Sequence, residues 1–89
     1  MLNNRRSDVD IIKDIITVSQ GGVNKTKILY KVNLSFIQLQ TYLSYLMDQE
    51  LLEERFVDEN ESKYSRIYQP TPKGVELLTN INKTLSYFK

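Results

Sequence analysis

The sequence contains no cysteine and no histidine. Without cysteine there is no disulfide framework and no thiolate nucleophile. Without histidine the usual proton shuttle and the commonest metal ligand are both missing. Most catalytic repertoires go with them. No apolar run approaches the roughly 18 residues that a membrane span needs, and the opening MLNNRRSDVD has no apolar stretch of the kind that marks a signal peptide. An intracellular protein is therefore expected, cytoplasmic and nucleoid-associated if it meets DNA. Internal repeats, low-complexity segments and linkers are also missing, as are a phosphate-cradling glycine loop and a G-x-S-x-G nucleophile motif. The expectation is one non-enzymatic domain with no cofactor, metal or small-molecule ligand.

Charge of one sign is missing by region. From Ile15 to Met47 there is no acid, and Lys25, Lys27 and Lys31 are the only charges; from Asp48 to Glu61 seven acids face the single Arg55. The net charge of +1 alone argues against a strongly basic nucleic-acid binder. Its distribution makes the chain electrically two-faced, although three lysines can equally be ordinary solvated positions. With 40% hydrophobic and 26% charged residues the 89-residue chain should fold. A domain of this size buries only about 60% of the surface its unfolded chain exposes, so a partner subunit would help it.

The periodicity predicts helix, helix, helix, hairpin, helix. Ser7 and Asp10 form a capping-box pattern before a helix over about 8–19, with Val9, Ile12, Ile15, Ile16 and Ser19 on its stripe, and Gly21-Gly22 ends it. Asn24 caps a short second helix that turns Ile28, Leu29 and Val32 inward and leaves its lysines to solvent. Asn33-Leu34 makes a tight turn, and Ser35 caps a third helix with Phe36, Leu39, Leu43 and Leu46 as its core stripe and Tyr42 at the edge. Strands are expected over 51–57 and 64–69, separated by a long polar tip, Asp58 to Lys63. Thr71 then caps a last helix with Pro72 at its first position, running to the end of the chain. Tyr30, Tyr42 and Tyr68 read as partly buried packing residues.

The outer face of the third helix is unusual. Steps of about 100° per residue place Ile37, Gln38, Gln40, Thr41, Ser44, Tyr45 and Asp48 outside, a surface of amides and hydroxyls without lysine or arginine. Amides can pair with adenine N6 and N7, and hydroxyls suit base edges or phosphates. Ser35, Gln38, Gln40, Thr41, Ser44 and Tyr45 are thus candidate base-reading residues. Candidate phosphate contacts are Lys25, Thr26, Lys27 and Lys31 on the second helix, Arg5 and Arg6 in an N-terminal arm, and Lys63 and Arg66 on the returning strand. The arm also reads as a flexible solvated terminus, and the acids of the tip would repel phosphates. Glu53, Glu54, Asp58 and Glu61 could supply oxygen ligands to a metal, but a solvated acidic surface explains them better.

Three short helices followed by a hairpin form the winged version of the helix-turn-helix. Three segments sharpen this: RRSDVDIIKDII, then GGVNKTKILYKVNLSFIQLQTYLSYLMDQELLEE, then IYQPTPKGVELL. Over Arg5 to Leu78 the chain resembles the small archaeal winged-helix DNA-binding proteins found among crenarchaeal chromosomal, viral and plasmid proteins. The resemblance rests on Lys25 to Tyr30, on Asn33-Leu34-Ser35 and on Thr71-Pro72-Lys73-Gly74. It implies an α+β winged helix binding double-stranded DNA as a homodimer through its C-terminal helix. Here 15 residues follow Gly74, so a more compact dimer than in relatives with a long coiled coil is expected.

The resulting picture is a single winged-helix domain over 1–89, with 1–6 as a basic arm and 72–89 as the dimerisation helix through Leu78, Ile81, Leu85 and Phe88. Its function would be transcriptional regulation with the third helix in the major groove, or architectural chromatin binding. The uncharged reading face favours sequence readout. A winged-helix adaptor that binds protein rather than DNA is the alternative, and near-neutral charge with an acidic wing suits it.

Overall fold

The computed structural model describes residues 6–60 and 63–88. The elements run α1 (Asp8–Ser19), α2 (Lys25–Val32), α3 (Phe36–Asp48), β1 (Leu52–Asn60), β2 (Lys63–Pro70) and α4 (Pro72–Leu85), followed by a 3₁₀ turn (Ser86–Phe88). This is the α+β winged-helix order expected from the sequence.

Each helix starts on a side-chain cap. Ser7, Asn24, Ser35 and Thr71 have extended backbones, and each side chain accepts from an amide three residues on. In α1 the capping box is complete, because the Ser7 amide also donates to Asp10 Oδ2 at 3.1 Å. That amide, followed by the Ser7 hydroxyl, holds the Asp10 carboxyl below its ordinary value of 3.8. A carboxyl with a depressed folded pKa stabilises the protein above its unfolded pKa, and that contribution is lost as pH falls through the lower, folded value. Acid titration followed by circular dichroism should therefore show Asp10→Asn losing less stability than wild type below about pH 4. Equal acid sensitivity would mean the box contributes nothing.

The core lies where α1, α2, α3 and the base of the hairpin converge, around Ile11, Ile15, Ile28, Val32, Leu39, Leu43 and Leu46, with Leu51, Leu52 and Tyr68 from the wing. Two expected stripe members are exposed. Val9 is exposed and Ile11 is buried instead, because steps of about 100° per residue put Ile11 beside Ile15 and leave Val9 at the rim of the buried arc of α1. Phe36 is 60% exposed. The space under the first turn of α3 goes to Leu34, which precedes the cap and shares the cluster with Leu39, the two positions of a hydrophobic staple.

The hairpin pairs antiparallel from Leu52↔Pro70 to Asn60↔Lys63, with an irregularity between Asp58 and Asn60. The strands thus continue into what reads from sequence as a long tip. Val23 joins as an isolated bridge to Tyr68, with N···O distances of 3.0 and 2.7 Å, and fastens the α1–α2 loop to the wing. The turn before it needs glycine, since Gly21 and Gly22 both have positive φ, 86° and 89°.

At the far end α4 is tied to the α3–β1 junction. The Thr71 hydroxyl donates to the Glu50 carbonyl at 2.6 Å, the Thr71 amide to the Leu51 carbonyl at 3.1 Å, and Lys73 Nζ to the Gln49 carbonyl at 2.9 Å. Gly74 is buried against this junction.

Candidate nucleic-acid interface

The outer face of α3 is the most distinctive surface of the molecule. Ile37, Gln38, Gln40, Thr41, Ser44 and Tyr45 are all exposed on it, within an arc of roughly 160° by helical geometry. Ser35 sits at its start, with its hydroxyl accepting from the Gln38 amide at 3.1 Å as the helix cap. The six expected base-reading residues are therefore brought together.

Several of them have partners within the protein. Gln38 Oε1 accepts from the Ser35 amide at 2.9 Å, closing a second capping box. Gln40 Oε1 accepts from Lys25 Nζ at 2.7 Å. Both partners are pure donors, so the carbonyl end of each amide must face them and the NH₂ end is left over. The Thr41 hydroxyl donates back to the Ile37 carbonyl at 3.0 Å. Bidentate reading of adenine, which needs an amide oxygen as well as its nitrogen, is thus unsuited to Gln38 and Gln40 as they stand.

The cations divide in a similar way. Lys27 and Lys31 are exposed on α2 with Thr26 between them and the capped end. Lys25, half-buried, lies 5.7 Å from the centroid of the Phe36 ring as well as on Gln40, and so ties α2 to α3. Arg6 is not a free arm. Its guanidinium donates to the carbonyls of Val32 at 2.6 Å and Asn33 at 3.1 Å, closing the C-terminal end of α2, with Asp14 at 3.7 Å. Arg66 pairs with Glu54 at 3.4 Å and lies 5.3 Å from the Phe56 ring. Both are thus engaged within the protein. Arg5 lies outside the described residues, as does the side chain of Lys63, whose backbone opens β2.

Two exposed apolar residues here run against the sequence expectation: Phe36, expected on the core stripe, is 60% exposed, and Tyr30, expected to pack, stands out from α2 at 77%; Ile37, expected outside, is 78% exposed. An open cleft of about 520 Å³ runs beside this face, lined by Asp8 and Ile12 of α1 and by Ile37, Gln38, Thr41, Tyr42 and Tyr45 of α3. Tyr42 Oη donates to Asp8 Oδ1 at 2.5 Å, and this bond, then burial, raises the phenol pKa. The α1–α3 packing is thereby pinned at the edge of the site.

Among the described residues no group of three acidic side chains is placed to hold a metal ion. No helix among them is long and apolar enough to cross a membrane.

A three-helix core, an exposed third helix and a two-stranded wing define a winged helix-turn-helix domain. Residues 5–89 match the winged helix-turn-helix family, and the chain belongs to it. It is 32% identical over 80 residues to the uncharacterized protein MJ0290 of Methanocaldococcus jannaschii, a match covering 89% of this chain and 34% of that protein. The chain thus spans about a third of that relative's length. The fold is similar to that of Sso10a-2, a DNA-binding protein from Sulfolobus solfataricus, with a TM-score of 0.78 and 23% identity over 92% of this chain and 81% of that one. It is also similar to a PadR-like transcriptional regulator from Bacillus cereus, with a TM-score of 0.75 and 18% identity over 88% and 82%. Relatives from two archaea bear out the small archaeal winged-helix resemblance read from the motifs.

Proposed function

We propose that this protein is a non-enzymatic, double-stranded DNA-binding regulator that acts as a homodimer and inserts α3 into the major groove. One observation carries the reading. The outer face of α3 exposes amides, hydroxyls and an isoleucine with no charge before Asp48, and exposed Lys27 and Lys31 flank it on α2. Hydrogen-bonding groups read base edges, and lysines on the neighbouring helix neutralise phosphates. Sso10a-2, of similar fold, is itself a DNA-binding protein. Such a regulator would work at the nucleoid in the cytoplasm.

Fluorescence anisotropy with random duplex DNA tests the reading. Binding at low salt that weakens linearly in log–log form as salt rises is expected. No binding even at low salt would favour the protein-interaction adaptor.

Support for the dimer comes from the end of the chain. Tyr87 and Phe88 are each 80% exposed, and Ile81 and Leu85 are only half-buried. Leu78, expected on the same edge, is buried within the protomer and belongs to its own core. The dimer edge is therefore Ile81, Leu85 and Phe88, with Tyr87 added. Leu85→Asp should convert a dimer to monomer in equilibrium sedimentation at micromolar concentration. A wild-type monomer, or a dimer untouched by the change, would contradict this assignment.

A further inference from the structure

We propose that the reading face is built for thymine, with Ile37 packing on the thymine 5-methyl group and the Gln38 and Gln40 NH₂ groups donating toward the thymine O4 edge. The inference rests on the DNA-binding reading and names what that same face recognises.

Three observations carry it. Ile37 is 78% exposed, and helical geometry puts it near the middle of the arc formed by Gln40, Ser44, Thr41, Tyr45 and Gln38. A large apolar side chain at the centre of a polar reading face presents apolar surface to the groove, and the thymine methyl is the one apolar group that bases offer it there. Second, the amide oxygens of Gln38 and Gln40 are held by the Ser35 amide and by Lys25 Nζ, so what each amide has left to give is its NH₂ donors. Donors match thymine O4 and the guanine acceptors, but they oppose the N4 donor of cytosine. Third, α3 carries no arginine or lysine for the bidentate grip on guanine O6 and N7 that is the commonest route to G·C specificity, and Lys25, which reaches its edge from α2, is engaged with Gln40 and the Phe36 ring. Donors plus a methyl-seeking isoleucine select thymine over guanine.

The test begins with a duplex obtained by in vitro selection, in which each thymine is then replaced singly by uracil, removing only the methyl. At one or two positions per half-site wild type should bind about fourfold more weakly, the loss expected for one buried methyl. Ile37→Ala should bind thymine and uracil duplexes equally, while Ile37→Val keeps most of the preference. Exposure of the side chain means neither change disturbs the fold, which circular dichroism checks. Putting 5-methylcytosine at the sensitive position restores the methyl but turns a donor toward the amides, so binding should stay about tenfold below that of the thymine duplex. Full affinity for every uracil duplex, or discrimination that survives Ile37→Ala, overturns the inference while leaving DNA binding intact. Failure to bind any duplex overturns both.

Discussion

Replacing Gly74 by alanine should destabilise the protein by on the order of 3 kcal/mol, the upper range for forcing an atom into a packed site. A Cβ built on Gly74 would stand 2.1 Å from the Leu51 carbonyl oxygen and 3.1 Å from its carbon. The obstacle is backbone, held by the Thr71 amide bond to that same oxygen, and it cannot swing aside as a side chain would. For a domain of this size the midpoint of thermal unfolding should fall by roughly 12 to 24 °C. The sign is diagnostic. In an open helix glycine to alanine stabilises by up to about 1 kcal/mol, so a raised midpoint for Gly74→Ala would mean that α4 does not lie against Leu51. The conformational demand at Gly74 is ordinary helix. What excludes a side chain is the approach of two segments that the T-x-K-G motif brings together.

The second large effect concerns DNA, and the engaged side chains decide which substitutions are informative. Lys27→Ala and Lys31→Ala together should lower the salt slope of binding by about 1.8 and weaken random and selected duplexes alike, because phosphate contacts carry no sequence information. At low salt each change should cost about tenfold. Thr41→Ala and Ser44→Ala should instead each cost on the order of 0.5 to 1.5 kcal/mol on the selected sequence, the worth of one hydrogen bond, with little effect on random DNA and little change in slope. Gln38→Ala mixes two effects, since it also opens the capping box on Ser35 and should lower helix stability by about 1 kcal/mol. Lys25→Ala is similarly mixed through Gln40 and Phe36. If the reading-face changes leave sequence preference untouched while the lysine changes abolish binding, the protein is a backbone binder.

Local chemistry was legible in the sequence and distant partnership was not. Caps at Ser7, Asn24, Ser35 and Thr71, the glycine stop at Gly21-Gly22 and the tight turn at Asn33 act within three or four residues, and all are where the sequence places them. The exposed face of α3 followed from period alone. Arg6 reads as a flexible arm because Val32 and Asn33 are 26 and 27 residues away, and nothing local marks them as its partners. Arg66 reads as free because Glu54 meets it only after the hairpin forms. Phe36 fits the core stripe by spacing, yet Leu34 fills the space first, which no single-helix period can reveal. Leu78 fits a coiled-coil seam but serves the protomer's own core. Glu50 is a subtler case. It adopts φ 59° at the end of α3, a left-handed position where glycine is usual, and the following Leu51 amide still reaches the Leu46 carbonyl at 2.8 Å. The sequence carries no glycine there to announce the turn.

Duplex DNA is expected to meet α3 and α2 rather than the wing or α4. Titrating ¹⁵N-labelled protein with a short duplex and following backbone amide shifts maps the contact without altering a side chain. The largest changes should fall on Thr26, Lys27, Lys31 and on Ser35 through Tyr45, with α4 unmoved. Shifts confined to the hairpin or to α4, or no shifts at all at low salt, would contradict it.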